Sequence, residues 1–185
     1  MRSAITPQAR LSHVGDLDET LRARYRDSPE LAWATHLAWT DASGAALADP
    51  YRGVTRTGLV GRELPYALDD AVGGPKDEPT PGEILCAALA ASLDATLRLV
   101  AIRRGITVAS LAVIVTGDVD ARGALGDPDV PVGFQSLRVE VQLRLADGTP
   151  PGTADHLLGF AERQCELMAT LRTGVPVELV TEEIA

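Results

Sequence analysis

Aromatic residues make up only 4% of this 185-residue chain. Extended base-stacking platforms are therefore excluded, and core volume has to come from Leu, Val, Ile and Ala. Basic charge is also short. Seventeen Lys and Arg face 26 Asp and Glu, for a formal net charge of −9. Phosphate repels such a surface, so neither a nucleic acid nor an anionic membrane is expected as a partner. Arg22, Arg24 and Arg26 come nearest to a basic run, but they lie among Asp18, Glu19 and Asp27. Two cysteines, Cys86 and Cys165, are too few for a disulfide framework. His13, His36 and His156 are scattered, and there is no H-x-x-x-H or C-x-x-C pair. No metal is expected on that pattern. Without a G-x-S-x-G elbow, a P-loop or a G-x-G-x-x-G turn, neither a serine hydrolase nor a nucleotide cofactor is expected, and no other cofactor is implied.

The opening MRSAITPQARLSHVGDLDE has no apolar segment of the secretory kind. A reducing cytoplasm is the expectation, where a thiol is structural, redox-active or inert. The longest apolar region, 84–102, is interrupted by Asp94 and Arg98. Each would cost about 2.5–3.5 kcal/mol at mid-bilayer, which favours a buried helix over a span. Apolar residues at 45% and charged residues at 23% are ordinary for a globular chain.

Local patterns divide the chain. Residues 16–27 suggest a short polar helix in an N-terminal arm, 1–30. Residues 31–39 and 53–60 suggest two strands. The Gly- and Pro-rich stretch 61–79 suggests a loop, and its Asp69–Asp70 pair is more simply a solvated turn than an acid–base dyad. Thr80-Pro81-Gly82-Glu83 has the form of a capping box. It opens a helix expected to run to about Arg104, with Gly105 as a left-handed stop. That helix is apolar nearly all round, so it should be packed on several sides. Residues 106–116 suggest a strand. In 137–145, Leu137, Val139, Val141, Leu143 and Leu145 alternate with polar residues, as in a sheet with one wet face. Residues 153–171 suggest one helix with Leu158, Ala161, Cys165 and Met168 on its apolar stripe. Residues 176–181 suggest a closing strand. The order predicts an α+β fold with mainly antiparallel sheet. A second copy could cover the long apolar helix, which predicts a homodimer.

Two segments carry a more specific signal. These are GGPKDEPTPGEILCAALAASLDATLRLVAIRRGI, 73–106, and AERQCELMATLRTGVPVEL, 161–179. Together they resemble the OsmC/Ohr family of thiol-dependent hydroperoxide reductases, over about residues 61–181. The resemblance implies an OsmC-like domain over 31–185. Its antiparallel sheets would pack around two long central helices in an intertwined homodimer. It further implies an oxidative-stress role in which a first-helix cysteine attacks a hydroperoxide as thiolate and a second-helix cysteine resolves it as a disulfide. An arginine and a glutamate would hold the thiolate ready, since a nearby guanidinium lowers a thiol pKa.

Placed on this sequence, Cys165 falls at the resolving position, with Glu166 where the family commonly has proline. Ser92 falls at the peroxide-attacking position, and Gly82 at the helix-start glutamate. Arg62 lies in a matching stretch, but no arginine can be assigned the catalytic role. A serine hydroxyl is not oxidised by peroxide, so the standard first step is expected to be missing. The retained pocket, with Ser92, Cys165 and Gly82 as its binding residues, would take a small hydrophobic or oxidised molecule. A thiol peroxidase using Cys165, with or without Cys86, and a purely structural or partner-binding dimer are the alternatives. Cys86 precedes Ser92 by six residues, about 9 Å along a helix, and is more simply a core residue. For Ser92 the plain alternative is a bond to the carbonyl one turn earlier. For Cys165 it is a buried, inert thiol.

Overall fold

The computed structural model describes residues 7–40, 47–59 and 61–181. Residues 1–6 of the expected arm and Val60, the end of the expected second strand, lie outside the described residues. The chain divides into two compact units: Met1–Ala87 with Ile114–Glu140, and Ala88–Val113 with Val141–Ala185.

The first unit opens on helix α1, Pro7–Asp27, longer than the 16–27 expected. A 3-10 turn, Pro29–Ala32, follows. Only Ala38–Thr40 of the expected strand 31–39 is strand, β1. Pro29 starts the turn in this stretch, and ladder pairing is confined to Ala38–Thr40 opposite Thr57–Thr55. β2, Arg52–Thr57, is the middle strand of an antiparallel β1-β2-β3 sheet. β3, Arg62–Ala67, lies within the stretch expected to be loop and pairs from Thr57↔Arg62 to Arg52↔Ala67. β3 contains Pro65, which an edge strand tolerates because the missing N–H need not join a ladder.

The rest of the expected loop is tied down. Asp69 accepts from the Ala71 amide and pairs with Lys76 Nζ at 2.9 Å, while Asp70 lies 3.6 Å from the same ammonium. Arg52 bridges Asp49 and Asp77 at 2.8 and 2.7 Å. The charge of the Asp69–Asp70 pair is thus offset in part by one lysine, and the pair shapes a turn.

Helix α2, Pro81–Arg103, has the ends its sequence specifies. The Thr80 amide donates to Glu83 Oε2 at 2.7 Å, and the Glu83 amide donates to Thr80 Oγ1 at 3.1 Å. Gly105, at φ 65°, ends it. The Ile106 and Gly105 amides donate to the Ala101 and Ile102 carbonyls, the paired bonds of a Schellman motif. Asp94 and Arg98, the two charges that interrupt the apolar run, pair with each other one turn apart. By length and composition α2 could cross a membrane. Its stripe of Leu89, Leu93, Leu97, Val100 and Ala101 is nevertheless buried within the chain. The single chain covers that stripe and leaves other sides of α2 open. Leu85 and Leu99 stay more than a third exposed, and Ala91 and Ala95 are also exposed.

β4, Val108–Val119, pairs with β5, Phe134–Leu145. Bonds join Ser136 to Asp118 and Ala146 to Thr107, so the strands run antiparallel. A short helix α3, Ala121–Ala124, lies between them in sequence. β5 alternates as expected, with Leu137 to Leu145 on its less exposed face.

The expected helix 153–171 is two helices, α4, Thr153–Gln164, and α5, Glu166–Thr173. Leu157, Ala161, Cys165 and Met168 are its buried residues, and Leu158 is only partly covered. The closing strand expected at 176–181 is absent among the described residues. Val177 and Leu179 are 89% and 88% exposed, and no strand among the described residues pairs with them.

Candidate functional site

Ser92 and Cys165 belong to the same unit, and the fold brings them together. Ser92 stands in the middle of α2 because the capping box and the Gly105 stop fix the helix at both ends. Its Oγ lies 3.3 Å from Cys165 Sγ. The expected bond to the carbonyl one turn earlier is not what the hydroxyl makes; Cys165 is its partner. The Ser92 carbonyl is taken instead by Thr96 Oγ1, at 2.8 Å.

Cys165 is the one-residue break between α4 and α5. Its φ and ψ of −76° and 109° are extended, so the first helix must stop there. The break keeps its backbone bonded. The Cys165 amide donates to the Ala161 carbonyl at 2.9 Å, and its carbonyl accepts from the Ala169 amide at 3.0 Å. The thiol itself has no exposed surface. The pair thus consists of a sealed sulfur and a half-buried hydroxyl already in contact with it. Among the described residues, no arginine side chain is hydrogen-bonded to either group.

Gly82 falls in the other unit, in the first turn of α2. A Cβ placed on it would lie 3.3 Å from Phe134 Cζ, and one on Gly117 would lie 2.4 Å from the same ring. The Phe134 ring therefore occupies side-chain space at both glycines. A side chain at position 82 would need that ring to give by a few tenths of an ångström.

Cys86 is a free, half-buried thiol in the first unit, and Cys165 is also unbridged. Desolvation, and then the charge of Glu83, push the Cys86 thiol pKa up. That lowers the thiolate fraction, the opposite of what a peroxide-attacking cysteine needs. Arg62 is exposed at the start of β3. Among the described residues, no cluster of His, Cys, Asp and Glu could hold a metal ion.

One side-chain group was not anticipated from the sequence. Arg104 and Arg163 both lie over the Phe160 ring, with guanidinium carbons 3.4 and 4.8 Å from its centroid. The i, i+3 spacing of Phe160 and Arg163 is visible in the sequence, but the approach of Arg104 from the end of α2 is tertiary.

The family model for OsmC-like proteins matches residues 74–180. No curated protein sequence matches the chain. Among solved structures, an OsmC-like protein of unknown function from Vibrio cholerae is similar at TM-score 0.61 and 13% identity, over 75% of this chain and 94% of that one. An OsmC-like protein from Mycoplasma pneumoniae is similar at TM-score 0.58 and 15% identity, over 76% and 89%. An organic hydroperoxide resistance protein from Legionella pneumophila is similar at TM-score 0.56 and 21% identity, over 75% and 90%. At these identities the structures establish a shared mixed α and β fold. The family model covers more than half of the sequence, including α2, both long strands, and the helices that meet at Cys165. The chain belongs to the OsmC-like protein family.

Proposed function

We propose that this chain is a cytoplasmic OsmC-like homodimer that has lost the standard hydroperoxide-reducing step and binds a small hydrophobic or oxidised molecule. One observation carries the proposal: the atom facing the Cys165 sulfur is the Ser92 oxygen, 3.3 Å away. In thiol peroxidase chemistry a thiolate attacks the peroxide oxygen, giving a sulfenic acid and an alcohol. A second thiol then condenses with the sulfenic acid, forming a disulfide and releasing water. Serine at position 92 supplies neither the thiolate nor the sulfenic acid, although Cys165 is held where a resolving thiol would be needed. Burial and the Glu83 charge raise the Cys86 thiol pKa, which works against a thiolate there.

Support for the second copy comes from surfaces left uncovered. α2 exposes Leu85, Leu99 and small alanines, and the segment after α5 exposes Val175, Val177, Leu179 and Val180. Among the described residues the β4–β5 sheet has two strands, and such a sheet needs further strands or packing for stability. An intertwined partner would meet all three needs. Light scattering should return twice the 19.5 kDa chain mass, and a monomer at micromolar concentration would remove this part of the proposal.

The activity claim is tested with cumene hydroperoxide and a dithiol reductant. The native chain should consume no more peroxide than buffer. Turnover abolished by Cys165→Ser would replace the proposal with a peroxidase working through Cys165. Native mass spectrometry of protein purified from the cell should show a bound apolar or oxidised small molecule that Ser92→Phe displaces.

A further inference from the structure

We propose that the unit containing Ser92 and Cys165 also carries a separate site for a small oxyanion, built on Arg104 and Arg163. Both guanidinium groups rest on one aromatic ring, Phe160, at 3.4 and 4.8 Å. Stacking engages the face of a guanidinium and leaves its in-plane N–H donors free. The ring thus fixes two donor forks without using them up, and such a fork matches a carboxylate or phosphate in two-point geometry.

The charges on these forks have no carboxylate partner among the described residues. Arg22, Arg52, Arg56, Arg98, Arg122 and Arg172 each pair with a carboxylate. Arg104 and Arg163 make no such pair among the described residues, although acidic residues outnumber basic ones by 26 to 17. The C-terminal end of a helix favours each arginine singly, since Arg104 follows α2 and Arg163 is in the last turn of α4. It does not favour bringing two like charges to one ring. An anion held by both would offset that repulsion.

Arg104, but not Arg163 or Phe160, lines a cavity of about 450 Å³, with Thr107, Asp147, Thr149 and Thr153 among its walls. Its walls are more polar than apolar, which suits a hydrated anion and not the hydrophobic molecule proposed for the Ser92 site. The Asp147 carboxylate disfavours a polyanion and offers an acceptor to a ligand hydroxyl or amine. The ligand class is therefore a small molecule with one carboxylate or phosphate and an adjacent hydrogen-bond donor.

Inorganic phosphate is the probe, titrated into the full chain by amide NMR against chloride at matched ionic strength. Saturable shifts should centre on residues around 104, 148 and 160. Arg104→Gln and Arg163→Gln should each weaken binding about tenfold or more, an order of magnitude expected for losing one charge-assisted contact. Phe160→Leu keeps both charges and should also weaken binding, by releasing the forks. Spectra of each variant without phosphate establish that it is folded. The proposal is overturned if phosphate does no more than chloride, or if either arginine variant or Phe160→Leu binds as the native chain does.

Discussion

The Ser92 hydroxyl oxygen and the Cys165 sulfur stand 3.3 Å apart, the first from the middle of α2 and the second from the break between α4 and α5. A sulfur in place of that oxygen would sit within disulfide-forming reach after a small adjustment, because the side chains already converge. Ser92→Cys should therefore form a crosslink between positions 92 and 165 on mild diamide oxidation. Peptide mapping without reductant should recover the joined peptides, and Cys86 should remain alkylatable. Recovery of a crosslink to position 86 instead would contradict the geometry.

Leu97 and Leu157 are both fully buried in the unit that contains the pair. Replacing either with alanine should cost about 2–5 kcal/mol, the lost transfer energy plus the cavity left behind. Urea unfolding followed by circular dichroism measures this, and a loss below about 1 kcal/mol would mean the site collapses freely.

The capping box makes a smaller prediction with a built-in control. Thr80→Ala removes the acceptor for the Glu83 amide and should lower stability by about 1 kcal/mol, while Thr80→Ser should lose much less. Equal losses in both variants would indicate that Thr80 matters through packing, since it is only 7% exposed.

Asp69 supplies a pH signature. The Ala71 amide first, and then the Lys76 ammonium, hold its carboxyl at about 2. A carboxyl depressed on folding contributes stability that is complete above its unfolded value. That contribution is lost as pH falls toward the folded value. Part of the acid limb of stability, from about pH 4 to about pH 2, should therefore belong to Asp69. Asp69→Asn should flatten that part in thermal melts taken across the range. An unchanged acid limb would show that the Lys76 contact is lost to solvent in solution.

The sequence was most informative where structure is local. The ends of α2 are set by Thr80, Pro81, Glu83 and Gly105, all within a few residues of the bonds they make, and both ends form as expected. The alternation in β5 was equally legible, because a period of two needs no knowledge of the partner strand. β3 is not legible locally, because glycines, prolines and Asp69–Asp70 dominate 61–79 and its pairing with β2 is tertiary. The break at Cys165 was hidden because the apolar stripe of Leu157, Ala161, Cys165 and Met168 continues across it, and periodicity does not register one extended residue. The segment 176–181 has strand-forming residues but no strand neighbour among the described residues. At the site, the family pattern picked out Ser92 and Cys165, and their contact follows from tertiary packing. The ring of Phe134 over Gly82 and the stack on Phe160 depend on residues far apart in sequence, which no spacing rule connects.

The most direct test of the central claim compares the native chain with Ser92→Cys in one stopped-flow assay of cumene hydroperoxide consumption with a dithiol reductant. If oxygen at position 92 is what removes the first chemical step, the native trace stays at the buffer rate. The variant then consumes peroxide, and that gain disappears when Cys165→Ser is added to block turnover. Rapid, Cys165-dependent consumption by the native chain would contradict the account.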